Sequence, residues 1–205
     1  LGTWEMMNAW IHQYGIPTIM YKPMKNEDFN AFALQARQRL NATLVATDAN
    51  GVKTLFKNLK QGGFSIILPD HVPQPSGGVV VPFFGIPCLT STLASKMAQK
   101  TQCRLVGLSC FRSADGEGFE VYCDDLNDPQ LCDADLDVAT AALNKAVEAM
   151  INRFPAEYMW GYKRFRGDKI AGNHYNKSKQ NYSLKLFKFY TNHTFTLYTN
   201  HTFTL

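Results

Sequence analysis

No C-x-x-C pair occurs among the five cysteines, Cys88, Cys103, Cys110, Cys123 and Cys132. Neither a disulfide framework nor a zinc site is therefore indicated, and a reduced, cytosol-facing domain fits that usage better than a secreted one. The chain also lacks any apolar run of the roughly 18 residues a spanning helix needs, and it lacks a signal peptide at its start. It does not open on methionine either: Leu1 leads straight into an amphipathic segment. We read this as N-terminal truncation, with any membrane anchor lying upstream. Basic residues are dispersed and no nucleic-acid-reading module accompanies them, so nucleic acid is not an expected partner.

What is present is enough for one sizeable core, since 45% of the 205 residues are hydrophobic. The net charge of +4 misleads if taken whole. Residues 167–205 hold five lysines and one aspartate, while residues 1–166 hold sixteen basic and sixteen acidic groups. The body is nevertheless polarised. Residues 1–112 carry eleven basic and five acidic groups, and residues 113–157 carry two and eleven. Such asymmetry predicts a basic face for anionic partners.

Hydrophobic periodicity alternates between helix and strand. Trp4, Met7, Ile11 and Tyr14 recur at helical spacing and Gly15 stops that helix. Ile16–Tyr21 reads as a buried strand, and Glu27–Leu40 as a helix with Phe29, Phe32, Ala33 and Ala36 on one stripe. A short strand near Leu44–Val45 precedes a helix from Val52 to Lys60, capped by Asp48 or Asn50 and closed by Gly62-Gly63. Phe64–Leu68 is a continuous apolar run typical of a covered strand. Pro69–Gly78 is a loop with three prolines and two glycines. A strand over Val79–Phe83, a helix over Thr90–Lys100 and a strand over Leu105–Phe111 follow. Phe119–Tyr122 pairs antiparallel after the Asp115-Gly116 turn, and Leu136–Arg153 is a long amphipathic helix. The fold class expected is α/β: a mixed, mostly parallel sheet flanked by helices.

Two domains of unequal character follow, a body over 1–166 and a tail over 167–205. Tyr190–Leu197 (YTNHTFTL) repeats unchanged at Tyr198–Leu205, too short an array for a solenoid. We read 167–205 as a disordered or artefactual low-complexity tail.

Four blocks of the body resemble the lipid A late acyltransferases of the lauroyl/myristoyl type, within the wider lysophospholipid acyltransferase superfamily. The first is Leu1-Gly2-Thr3-Trp4-Glu5, similar to the end of that family's H-x4-[DE] motif. The second is Tyr21-Lys22-Pro23 with Arg37-Gln38-Arg39 behind it, Lys22 standing where the family usually has arginine. The third is Pro69-Asp70-His71, then Gly78-Val79-Val80-Val81-Pro82-Phe83-Phe84-Gly85, with Thr90-Ser91-Thr92. The fourth is Glu157-Tyr158-Met159-Trp160 running into Lys163-Arg164-Phe165-Arg166. The resemblance covers 1–166 and leaves the tail out. It implies a glycerolipid acyltransferase-like αβα sandwich. It also implies acyl transfer from acyl-acyl carrier protein to a hydroxyl of a lipid A precursor, at the cytoplasmic face of the bacterial inner membrane. In that chemistry a histidine is general base, an acidic residue orients it, and neither metal nor other cofactor is needed. A glycerophospholipid acyltransferase, or an inactive fragment that binds lipid or carrier protein, are the alternatives.

Carried residue by residue, the resemblance makes Glu5 the orienting acid. Its histidine would stand immediately before Leu1, so the 205-residue chain is expected to be inactive alone. The other reading of Glu5 is an ordinary helix-start glutamate favoured by the dipole. His12 and His71 are not expected to replace that base; His12 reads as a surface residue, and His71 either lines the cleft or does not. Arg37, Arg39 and Lys22 are the candidate phosphate ligands, or else a solvated face. Asp70 either orients a basic residue or caps its loop. Gly77 and Gly78 either present N–H groups to an acyl carbonyl or are plain turn glycines. Thr90, Ser91 and Thr92 are expected to cap a helix. Arg164 is expected to be structural, with Arg164 and Arg166 forming an ion pair or an interfacial patch beside Trp160 and Phe165. The expected partners are acyl-acyl carrier protein, a lipid A precursor and the anionic inner-membrane surface.

Overall fold

The computed structural model describes residues 2–21, 42–166 and Tyr175. The helix expected over Glu27–Leu40, together with Lys22, Arg37, Arg39 and nearly all of the 167–205 tail, lies outside the described residues. Helix α1 spans Trp4–Ile11 and passes into a 3-10 turn, His12–Tyr14, that ends at Gly15 with φ of 132°. Only glycine adopts that backbone without strain. Met7 is buried as its spacing predicts, but Tyr14 is 65% exposed. The change from 3.6 to 3 residues per turn swings Tyr14 off the buried stripe, and its ring meets Trp10 at 5.1 Å instead.

Three parallel strands follow in the order β2-β1-β3, with β1 at Thr18–Tyr21, β2 at Thr43–Ala46 and β3 at Ser65–Ile66. Helix α2, Ala49–Lys60, crosses between β2 and β3. Asp48 caps it by accepting from the Gly51 N–H at 2.8 Å, and Asn50 lies inside the helix. Gly51 faces the Ala46 carbonyl so closely that any Cβ there would clash.

The second half is antiparallel. Strands β4 (Gly78–Phe83) and β5 (Ile86–Ser91) form one hairpin, and β6 (Leu105–Arg112) and β7 (Phe119–Leu126) form another. Strand β5 corrects the sequence reading, which began a helix at Thr90; helix α3 runs Leu93–Thr101. The β4–β5 turn is Phe84-Gly85 with φ of 49° and 73°, a type I′ geometry. The Phe84 N–H is held by Glu148 Oε1 at 2.7 Å. Because Phe83 pairs with Ile86 next to the turn, Pro82 and Pro87 oppose one another at a position where the ladder needs no N–H. That register explains why a strand tolerates both prolines. Parallel and antiparallel pairings thus occur in equal number among the described residues, fewer parallel ones than the alternation suggested.

Helix α4, Leu136–Arg153, is the spine of this half, and its N-terminus is capped by Asp135 accepting from the Asp137 N–H at 2.8 Å. It packs Ala142 and Leu143 against Ala94 and Leu131, and Ile151 against Phe83, Cys88 and Tyr158. Among the described residues no helix is long and apolar enough to cross a membrane.

Candidate functional site

Glu5 occupies the first turn of α1, and its side chain lies outside what the structure describes. The backbone before it is firmly placed. Gly2 forms a parallel bridge with Cys110 of β6, and the Thr3 N–H donates to the Cys110 carbonyl at 2.7 Å. Gly2 has φ of 73° and lies against that carbonyl with no room for a Cβ, so glycine is required twice over. The block that carries the motif resemblance is therefore pinned to β6. His12, which the sequence places on the surface, is half-buried in the 3-10 turn.

The loop 69–78 gathers the remaining described candidates. Asp70 Oδ2 accepts from the Tyr158 hydroxyl at 3.1 Å. Burial pushes the Tyr158 phenol well above its ordinary pKa, and the Asp70 charge adds to that, so the hydroxyl stays a donor. His71 is exposed, its ring 5.3 Å from that of Tyr162. The Tyr162 hydroxyl accepts from the Val72 N–H at 2.9 Å. Gly77 donates its N–H to the Gln74 carbonyl at 2.9 Å and accepts from Thr92 N–H at 3.1 Å, so an oxyanion role for Gly77 would first require breaking that turn. Gly78 lies in extended backbone, where a Cβ would come 2.6 Å from the Thr90 carbonyl oxygen. Close approach across the β4–β5 ladder is what asks for glycine there.

Thr90 does not cap a helix. It is fully buried in β5 and its hydroxyl uses all three of its bonding positions. It donates to the Cys88 carbonyl at 3.4 Å and accepts from Asn144 Nδ2 at 3.1 Å and Arg164 Nη2 at 2.7 Å. The N-cap of α3 is Thr92, whose Oγ1 donates to the Gly77 carbonyl at 3.3 Å instead of capping, while Ser91 Oγ accepts from the Leu93 N–H at 3.3 Å. Arg164 is 2% exposed, and Nη1 reaches the Leu89 carbonyl at 2.7 Å. Its guanidinium lies over the Phe83 ring at 5.2 Å. The expected ion pair at Arg164 is not formed among the described residues: its partners are neutral oxygens and an aromatic face, because β5 brings backbone and hydroxyl, not carboxylate, to that point. Arg166 is exposed, with its guanidinium 5.5 Å from the Tyr162 ring. Cys88 beside this cluster has its thiol pushed up by burial, against the lowering influence of Arg164.

The residues that bind the loop, Tyr158 and Tyr162, were absent from the sequence candidates as site residues, although both lie in or beside the fourth motif block. A separate open groove of about 500 Å³ is lined by Phe56, Lys57, Lys60, Gln61 and Lys100, none of them a sequence candidate. Among the described residues no group of three or more His, Cys, Asp or Glu stands ready to hold a metal ion.

With that geometry in place, comparison with known proteins decides the family: the model for bacterial lipid A biosynthesis acyltransferases matches residues 1–167. The chain belongs to the bacterial lipid A biosynthesis acyltransferase family. It is 32% identical over 151 residues to the lipid A biosynthesis lauroyltransferase of Escherichia coli (strain K12), covering 72% of this chain and 47% of that protein. It is 24% identical over 167 residues to a lipid A biosynthesis acyltransferase of Haemophilus influenzae, covering 81% and 51%. It is also 24% identical over 149 residues to the lipid A biosynthesis palmitoleoyltransferase of Escherichia coli, covering 71% and 47%. The chain thus spans about half the length of the curated relatives it matches. Among the family's blocks, the Asp70 loop, the Phe84-Gly85 turn and the Tyr158–Arg164 segment meet in one described region of this fold.

Proposed function

We propose that this acyltransferase domain transfers a fatty acyl group to a hydroxyl of a lipid A precursor in lipopolysaccharide biosynthesis, with acyl-acyl carrier protein as donor. The family match over 1–167 carries the reading, and the relatives named as lauroyl- and palmitoleoyltransferases support a fatty acyl cargo. The excess of basic groups in residues 1–112 suits an acidic donor protein and an anionic lipid surface at the cytoplasmic face of the inner membrane. The domain over 1–166 adopts the αβα sandwich of glycerolipid acyltransferases, and the tail over 167–205 takes no part.

The mechanism is direct. An imidazole at the position before Leu1 removes the proton of the acceptor hydroxyl. That oxygen attacks the thioester carbonyl, the C–S bond breaks, and the imidazolium returns its proton to the carrier's sulfur, which leaves as the thiol. Glu5, at the start of α1, accepts from the other ring N–H and fixes the tautomer. Asp70, His71, Gly77 and Gly78 border the acyl pocket, while Arg37, Arg39 and Lys22 bind the sugar phosphates. The test is acyl transfer by membranes expressing the chain with and without a histidine before Leu1, followed by mass spectrometry of the lipid product. Transfer appears only with the histidine, and Glu5→Gln then lowers it by about 100-fold or more. No transfer even with the histidine in place would leave a non-catalytic lipid- or carrier-binding domain.

A further inference from the structure

We infer that Tyr158 and Tyr162 are positioning residues for the loop 69–72, and that the segment 154–166 is a strap that sets this loop's geometry for acyl transfer; the catalytic part rests on the function proposed above. Loop 69–72 contains two of the pocket candidates and forms no strand pairing among the described residues. The hydrogen bonds of Asp70 and Val72 run to the strap, 88 and 90 residues downstream in sequence. Tyr158 donates to the Asp70 carboxylate and Tyr162 accepts from the Val72 N–H, so one donor and one acceptor flank His71 on both sides. The Tyr162 ring also lies beside the His71 imidazole. Three contacts to three successive residues hold the loop's direction.

The strap is itself fixed at both ends of this clamp. Before it, the Tyr158 ring is buried with Phe83, Cys88 and Ile151, and Trp160 Nε1 donates to the Pro155 carbonyl at 2.7 Å. After it, Arg164 inserts into β5 and Phe165 packs on Phe83 at 6.0 Å. Between these anchors the backbone turns tightly, with Tyr162 N–H donating to Met159 and Arg164 N–H to Tyr162. A phenol ring on a fixed strap has few ways to move, so its hydroxyl is a better template than a loop side chain.

The experiment compares the full gene product with Tyr158→Phe, Tyr162→Phe and the double variant, each of which keeps its ring and loses only a hydroxyl. Hydrogen exchange at the Val72 amide and kcat and KM for acyl transfer are measured together. Tyr162→Phe should speed Val72 exchange about tenfold, and the double variant should lower kcat about tenfold with KM within about twofold. Tyr158→Phe removes the hydroxyl that donates to Asp70 and should lower kcat severalfold on its own. Unchanged kcat in the double variant, even with faster exchange, would reduce the clamp to packing and overturn the inference. If the unmodified protein transfers no acyl group, the proposed function fails and the catalytic part of the inference with it; the exchange result then decides the clamp on its own.

Discussion

Two regions of this domain gather polar groups, and they are built in opposite ways. In the groove between α2 and α3, helical spacing supplies the lysines: Lys57 and Lys60 lie in the last turn of α2, Lys100 in that of α3. Cations at helix C-termini are favoured by the exposed carbonyls, so this basic rim has a local electrostatic cause and its field is partly offset. Lys100 rests over the Phe56 ring at 5.8 Å. Around Asp70, Val72 and Arg164, by contrast, the side-chain hydrogen bonds join segments 74 to 90 residues apart, with Asp70 held by a hydroxyl and Arg164 buried. Groups drawn together against chain entropy, at the cost of desolvating a guanidinium, mark the region on which the fold spends its polar side chains.

That contrast can be broken by mutation. Arg164→Ala should destabilise most, by about 3–5 kcal/mol in denaturant unfolding, because it empties a fully buried site and strands the Leu89 and Thr90 oxygens. A loss below about 1 kcal/mol would mean the cluster relaxes freely. Thr90→Val keeps the shape but removes the acceptor shared by Arg164 and Asn144, and about 2–3 kcal/mol should go with it. Gly78→Ala, pressed on the Thr90 carbonyl, should cost about 1–3 kcal/mol. Replacing Lys57, Lys60 and Lys100 together by Gln should leave stability within about 0.5 kcal/mol, and larger losses would overturn the view of that groove as ordinary helix ends.

A pH comparison sharpens the same point at lower amplitude. Tyr158 is held above its ordinary value of 10.0 by burial first and by Asp70 second. Its folded pKa is raised, so the stability this adds is complete below about pH 10 and falls as pH rises beyond, where the unfolded chain ionises and the folded one does not. The melting temperature of the unmodified protein should therefore drop faster than that of Tyr158→Phe between about pH 9 and pH 11. Parallel curves would show that the phenol titrates freely.

Much of the fold was legible in the sequence where signals were local. The bounds of α4 agree because Asp135 caps one end and an unbroken apolar stripe runs to Arg153. The β6–β7 hairpin agrees because the Asp115-Gly116 turn sits between two β-rich runs. Strand β5 was missed because Pro87 reads as a breaker, and only the register against Pro82 shows why it does no harm. Thr90 looked like a cap because it stands two residues before the N-cap of α3, yet its hydroxyl answers Asn144 and Arg164 across the core. Of the candidate site, the motif blocks exposed Asp70 and His71. Nothing local exposed their tyrosine partners, since a contact spanning 88 residues leaves no periodicity. Arg37, Arg39 and Lys22 stay as expectations outside the described residues.

The docking of Gly2 and Thr3 on Cys110 has a consequence for biogenesis. During synthesis the segment bearing Glu5 leaves the ribosome early, but its resting place does not exist until β6 has emerged and paired. The loop at Asp70 waits longer still, for Tyr158 and Tyr162. Closures of this length are slow, so these contacts are among the last that the chain can make. The Gly2–Cys110 and Asp70–Tyr158 contacts therefore close only after residues 105–112 and 158–162 have emerged.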